Sequence, residues 1–315
     1  MRQAAQEDPT LRADRGSKVI EKPAIIVTST GRTGTEFFAR LFADVIPDCT
    51  SLHEPDIIKF TGVRHRLSHY REQLRTSGAW RLIVLKALGK WTVVKLSDAR
   101  FVGLRDRDWA ARSLLAQRYS FVSELPGSIY AESNLGFYGL LDVIPRVFAH
   151  SRAIYVIRDG RDWVRSAVNW GEIYQKKGLR KYFSHQWPGA RDVPGDSLAN
   201  EWDGLPRFTR LCWAWAKMNE FALGGVAENP HARVFHFERL FSGEDRYRYL
   251  SELLNFITPL PGLSRDRIAS TSGRLERRVH ESSARFPAWD GWSPDQKATF
   301  IRICGPLMEQ LGYTI

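Results

Sequence analysis

Apolar positions along this chain recur with two periods. Ala24-Ile25-Ile26-Val27-Thr28 is a continuous apolar run rich in β-branched residues, which predicts a strand buried on both faces of a parallel sheet. After a Gly-containing loop, Phe37, Phe38, Leu41, Phe42 and Val45 fall at helical spacing. A second short strand is expected to end near His53. Ser128-Ile129-Tyr130-Ala131 reads as another strand, followed by a helix through Leu140, Leu141 and Ile144. Ala153-Ile154-Tyr155-Val156-Ile157 is a further strand, and its following helix carries Trp163, Val164, Ala167 and Val168 on one face. A long helix is expected from Pro206 to Val226, with Arg233-Val234-Phe235-His236-Phe237 as the last strand. The final helix has clear end signals: Ser293 as N-cap, Pro294 at the first helical position, Gln296 closing a capping box, and Gly312 as the stop. Residues 1–21 read as a disordered tail, leaving 22–315 as one domain. Residues 57–125 read as a mostly helical insertion. Strands alternating with helices predict an α/β fold, three layers deep, with a central parallel sheet. In such sheets ligands bind at the carboxyl ends of the strands.

Two segments at predicted strand ends carry phosphate-binding chemistry. In Thr28-Ser-Thr-Gly-Arg-Thr-Gly-Thr35, Gly31 and Gly34 permit close approach of backbone to an anion. The helix that follows aims its N–H groups and positive dipole end at the same place. Thr33 and Thr35 add hydroxyls, and Arg32 adds a fixed cation. This is a P-loop-like cradle without the GxxxxGK[ST] of nucleoside triphosphatases, since Glu36 follows Thr35 and no Lys is present. In Arg158-Asp-Gly-Arg-Asp-Trp-Val-Arg-Ser166, Arg158 lies at a strand end and Ser166 about two turns into the next helix. A phosphate there could take a charge-assisted bond from Arg158 and a hydroxyl bond from Ser166. Asp159 is placed to cap the helix.

Together these segments resemble the PAPS-dependent sulfotransferase family, nearer its bacterial and carbohydrate-modifying branches. Arg32-Thr33-Gly34-Thr35 is similar to the family's 5′-phosphosulfate loop. Arg158, Asp159, Arg161 and Ser166 match its R-D-x-R-x-x-x-x-S motif for the 3′-phosphate. Phe237-Glu238-Arg-Leu240 resembles Y-E-D-L, and Trp292-Ser293 through Leu311-Gly312-Tyr313 resembles the W-S…L-G-Y terminus. The resemblance implies transfer of a sulfuryl group from 3′-phosphoadenosine-5′-phosphosulfate (PAPS) to a hydroxyl or amine, on a small-molecule, carbohydrate or lipid acceptor. It implies Arg32, Thr33, Gly34 and Thr35 at the donor's 5′ end, Arg158 and Ser166 at its 3′-phosphate, and Arg32 as stabiliser of the charge that builds during transfer. Sulfuryl transfer to a hydroxyl needs a base. Leu52-His53-Glu54-Pro55 is similar to a Glu-Pro that follows the second strand of carbohydrate-type members, which points to Glu54, with His53 as the alternative. As neighbours on a strand, the two side chains are expected on opposite faces. Glu132-Ser-Asn134 is expected to be scaffolding near the site, and 57–125 to shape the acceptor side. Two rivals stay open: a P-loop nucleotide or small-molecule kinase, which magnesium dependence would reveal, and a noncatalytic nucleotide- or polyanion-binding protein, which lacks a base.

Charge adds one element. The 315 residues hold 46 Lys and Arg against 35 Asp and Glu, a net +11 that favours acidic partners. Thirteen basic and four acidic residues between Arg64 and Arg118 give +9 there. Such a block reads as a solvated helical face, or as a preference for an acidic acceptor or peripheral contact with an anionic membrane surface; nucleic acid is not expected. Cys49, Cys212 and Cys304 are odd in number and form neither CxxC nor CxxH, so neither a disulfide framework nor a metal site is expected. The N-terminus lacks a signal-peptide apolar core, and Ala79–Val94 is broken by Arg81, Lys86 and Lys90. A soluble, cytoplasmic protein is expected.

Overall fold

The computed structural model describes residues 18–56, 92–170, 173–174, 187–269 and 285–315. Strands β1 (Ala24–Thr28), β2 (Cys49–His53), β3 (Ile129–Ser133), β4 (Ser151–Ile157) and β5 (Ala232–His236) form one parallel sheet in the order β2-β3-β1-β4-β5. The helices are α1 (Thr35–Val45), α2 (Val93–Phe101), α3 (Arg107–Glu124), α4 (Ile144–Val147), α5 (Gly160–Trp170), α6 (Arg207–Ala227), α7 (Phe237–Phe241), α8 (Arg246–Ile257) and α9 (Pro294–Gln310).

β1 is buried at every position because the sheet is covered twice. Ile25, Val27, Ile129, Ala131, Ile154, Val156 and Phe235 pack beneath α1 and α8. Ile26, Tyr130, Ala153, Tyr155 and Ile157 pack on the other face, beneath helices that include α3, α5, α6 and α9. This alternation is the two-residue period of a strand, here apolar on both sides. The α/β architecture read from the sequence is therefore observed as three layers. The chain leaves β1 toward β2 and leaves β4 toward β5, so the crevice between β1 and β4 is the switch point where ligands bind in such sheets.

Local chemistry explains the boundaries. The α9 capping box forms as expected, with Ser293 Oγ accepting from Gln296 N–H and the Gln296 side chain accepting from Ser293 N–H. Gly160 starts α5 where a Cβ would come 3.0 Å from both Trp215 and Phe300, so glycine allows α5 to seat against α6 and α9. Cys49, Cys212 and Cys304 are free thiols.

Three sequence expectations are corrected. Neither Leu140 nor Leu141 is helical: Leu141 lies in a turn, and α4 begins only at Ile144. Here Gly136 and Gly139 bring the chain against α2, where added Cβ atoms would sit 2.7 Å from Val94 N and 2.9 Å from Ser97. That approach needs glycine, and glycine weakens a helix. The last strand ends at His236, because Phe237 already opens α7. The segment just before residue 21 is ordered: Ile20 is buried, donates its N–H to Val147 O at 2.8 Å and accepts from Ala149 N–H at 3.0 Å. Residues 1–17 lie outside the described residues, as do 57–91 of the expected insertion. The remainder of that insertion, 92–125, is mainly the two helices α2 and α3.

Candidate active site

The loop from Ser29 to Gly34 is shaped by its own hydroxyls and by left-handed residues. Ser29 Oγ accepts from Gly31 N–H at 3.0 Å and from the Thr33 hydroxyl at 2.6 Å. Gly31, Arg32 and Gly34 have φ of 86°, 59° and 69°. Turns that contain left-handed residues can form backbone concavities of the kind that hold anions, although the Gly31 N–H is already given to Ser29 Oγ. Gly34 is the N-cap of α1 and has no side chain with which to cap it; helix starts are places where anions can bind. Thr33 is buried. Its hydroxyl turns inward to Ser29, so it fixes the loop's shape and does not face outward as the sequence suggests. Trp163 braces the loop by donating Nε1–H to Gly31 O at 2.9 Å.

The β4 end meets this loop directly. Arg158 Nη1 donates to Arg32 O at 2.9 Å, and Arg32 Nε donates to Ser166 Oγ at 3.0 Å. Arg158 is held from three sides. Its guanidinium lies 4.5 Å from the centroid of the Phe237 ring, and its carbonyl accepts from Trp215 Nε1 at 3.1 Å. Its Nε is buried and makes no hydrogen bond among the described residues. Burial lowers the Arg158 pKa, countered in part by Asp162, Glu238 and Asp159, yet a guanidinium stays charged in a protein. A buried cation with an unmatched donor is what a phosphate oxygen would satisfy. Asp159 caps α5 as expected, accepting from Arg161 N–H at 2.8 Å, and its carboxylate also holds the Arg161 guanidinium. Trp170 is 43% exposed and lies under the Arg32 guanidinium, 5.2 Å from centroid to charge.

The third element lies at the end of β2. Glu54 is 6% exposed and has φ 47°, left-handed for a non-glycine residue. Its N–H donates to Ser133 O at 3.0 Å, and Ser133 Oγ donates to Thr35 O at 2.6 Å. The turn bearing Glu54 is thus tied through β3 to the first residue of α1. His53 Nδ1 lies 3.1 Å from the same Ser133 O. A carbonyl only accepts, so Nδ1 carries the proton. His53 Nε2 then faces Glu54 Oε2 at 3.7 Å. The expectation that these side chains diverge is therefore corrected: Glu54 stands just past the strand in a left-handed conformation, which breaks the alternation.

Beneath this turn, Arg118 is completely buried and forms a bidentate pair with Glu132, with bonds of 3.0 and 2.8 Å. Asp56 lies 3.5 Å from Arg118 Nη2; it accepts from Asn134 Nδ2 at 2.7 Å and from Val93 N–H at 2.9 Å. Glu132 and Asn134 are thus scaffolding. Arg118, counted by sequence in a solvated basic block, is part of that scaffold, and Arg100 of the same block pairs with Asp142. Sequence reasoning missed Ser29, Phe237, Asp56 and Arg118 as shapers of this region. Only Phe237 carried a signal, as the aromatic opening Phe-Glu-Arg-Leu. Among the described residues, no group of His, Cys, Asp or Glu could hold a metal ion, and no helix is long and apolar enough to cross a membrane.

Neither a family model nor a curated protein matches the sequence. Solved structures do. A sulfotransferase from Mycobacterium avium is similar at 12% identity and a TM-score of 0.51, over 95% of this chain and 79% of that one. A sulfotransferase from Alicyclobacillus acidocaldarius is similar at 13% identity and a TM-score of 0.41, over 94% of this chain and 98% of that one. The sulfotransferase domain of a Synechococcus olefin synthase is similar at 15% identity and 0.41, over 95% and 97%. On the first of these likenesses, with the strand order and the two phosphate-type loops, the chain has a sulfotransferase fold.

Proposed function

We propose that the chain transfers a sulfuryl group from PAPS to a hydroxyl or amine of a small-molecule, carbohydrate or lipid acceptor. The observation that carries this reading is the meeting of two anion sites: Arg32 Nε on Ser166 Oγ at 3.0 Å, and Arg158 Nη1 on Arg32 O at 2.9 Å. Two linked sites at the β1 and β4 ends suit a nucleotide with phosphates at both its 5′ and 3′ positions. When bound, PAPS supplies a sulfuryl group already activated by a phosphate leaving group. Arg32, Thr33, Gly34 and Thr35 hold the 5′ end; Thr33 does so through the loop shape it fixes with Ser29. Arg158 and Ser166 hold the 3′-phosphate, where the unmatched Arg158 Nε supplies a further donor. Glu54 takes the acceptor's proton. Arg32 and the N-terminus of α1 stand ready for negative charge, and donors fixed in advance stabilise a transition state without reorganising.

Adenosine 3′,5′-bisphosphate is expected to raise the melting temperature well above the effect of ATP with magnesium. A ligand at about 100 times its Kd adds about 2.7 kcal/mol to native stability. Equal or greater stabilisation by ATP with magnesium would favour a kinase. Arg158→Ala and Ser166→Ala are each expected to weaken binding of the bisphosphate, by about 1.5–3 kcal/mol where a charged contact is lost. Adenosine 5′-monophosphate should lose less, only what the lost bonds to Arg32 cost at the 5′ end, and calorimetry on both nucleotides tests the difference. The basic segment and a soluble cytoplasmic location remain part of this proposal: acidic acceptors or an anionic surface would be met by Arg and Lys side chains near the acceptor side.

A further inference from the structure

Beyond the Phe237 ring, two sequence segments have no structural role in the site so far: Glu238-Arg239-Leu240 and the terminal Leu311-Gly312-Tyr313. The fold brings both to Arg158. Glu238 Oε1 accepts from Asp159 N–H at 2.9 Å, and Glu238 Oε2 accepts from the Tyr313 hydroxyl at 2.9 Å. His236 Nδ1 lies 3.1 Å from that same hydroxyl. Phe237, adjacent to Glu238, carries the Arg158 guanidinium on its ring at 4.5 Å. One side of Arg158 is thus a peptide N–H held by Glu238, and another is an aromatic face held by the same short helix. Gly312 has φ 77°, the left-handed bend that ends α9 and turns Tyr313 back toward the sheet. Burial is the main influence on the Glu238 carboxyl and raises its pKa, while the hydrogen bonds from Asp159 N–H and the Tyr313 hydroxyl oppose the rise.

We infer that Glu238, latched by Tyr313, is a positioning residue that sets Arg158 for the 3′-phosphate, so that the C-terminus takes part in donor discrimination. This rests on the proposed assignment of Arg158 to that phosphate. Glu238 touches no nucleotide in this scheme. It fixes the Arg158–Asp159 peptide, and through it the direction in which the guanidinium leaves the strand.

The test is the ratio of affinities for adenosine 3′,5′-bisphosphate and adenosine 5′-monophosphate, measured by calorimetry on the full chain. Glu238→Met removes the acceptor for Asp159 N–H. It is expected to lower the ratio about tenfold, within the range for residues sharing one hydrogen-bond network, with binding of the monophosphate unchanged. Glu238→Gln keeps an oxygen for Asp159 N–H and an amide for the Tyr313 oxygen, so it should restore the ratio to within about twofold of wild type. Tyr313→Phe removes one hydroxyl near the chain's end and should lower the ratio about threefold; it serves if Glu238→Met does not fold. An unchanged ratio in folded Glu238→Met, or in Tyr313→Phe if that variant must stand in for it, would overturn the inference and leave these residues a purely structural role. A wild-type chain that bound both nucleotides equally would instead overturn the 3′-phosphate assignment, and the inference with it.

Discussion

Glu54→Gln is expected to lower the transfer rate by about 10²–10⁴-fold, the usual cost of losing a general base, while leaving affinity for adenosine 3′,5′-bisphosphate nearly intact. Gln preserves the size of the side chain and its capacity for hydrogen bonds but does not take a proton at neutral pH. The backbone should tolerate the change, because the Glu54 N–H bond to Ser133 O helps hold the left-handed turn at φ 47° and survives the substitution. His53→Ala is expected to cost about tenfold or less in rate. Its Nδ1–H is committed to Ser133 O, and its Nε2 lies 3.7 Å from Glu54 Oε2, beyond hydrogen-bond distance. Initial rates with donor affinity measured separately decide the matter. If His53→Ala is the inactive variant and Glu54→Gln is active, the roles are exchanged. If both retain full rate, the base lies outside this turn.

Arg118→Met is expected to destabilise the fold by about 3–5 kcal/mol, the cost of removing one partner from a buried ion pair. The arginine is completely buried and holds Glu132 at 2.8 Å and Asp56 at 3.5 Å. Without it, two carboxylates and the Tyr130 hydroxyl remain together with no cation among the described residues, the Tyr130 oxygen 2.5 Å from Glu132. Met matches the aliphatic stem but not the charge. Urea unfolding of both proteins gives the difference from the midpoints, provided the slopes agree. A loss below about 1 kcal/mol, typical of an exposed pair, would mean that the arginine is solvated and the network is not what holds β3 to α3.

Legibility from sequence followed the range of the interactions involved. β1, β4 and α9 were readable because each is specified locally: β1 and β4 by unbroken apolar runs, α9 by Ser293, Pro294, Gln296 and Gly312. The shapes of the two loops at the β1 and β4 ends are readable for the same reason, since glycine, arginine and hydroxyl residues at fixed spacing act on their own backbone. The helix expected through Leu140 was wrong because its fate is set by a long-range contact, the seating of Gly136 and Gly139 on α2. Arg118 was placed among solvated charges because its partners, Glu132 and Asp56, are 14 and 62 positions away, and no periodicity encodes that pairing. Ile20 was assigned to the tail because a single apolar residue in a charged stretch carries no pattern, although two backbone bonds to the segment before β4 suffice to fix it. The opposite-face argument for His53 and Glu54 failed because strand alternation was extended one residue past the strand.

The central claim is the reaction itself, and sulfate transfer tests it most directly. Wild-type protein and Glu54→Gln would be incubated with PAPS labelled in its sulfate, without added metal, against panels of carbohydrate, lipid and small aromatic acceptors. Label should appear on at least one acceptor in step with release of adenosine 3′,5′-bisphosphate, and Glu54→Gln should lose this activity while still binding the bisphosphate. No labelled acceptor across the panels, together with transfer of the γ-phosphate from labelled ATP in magnesium, would contradict the account.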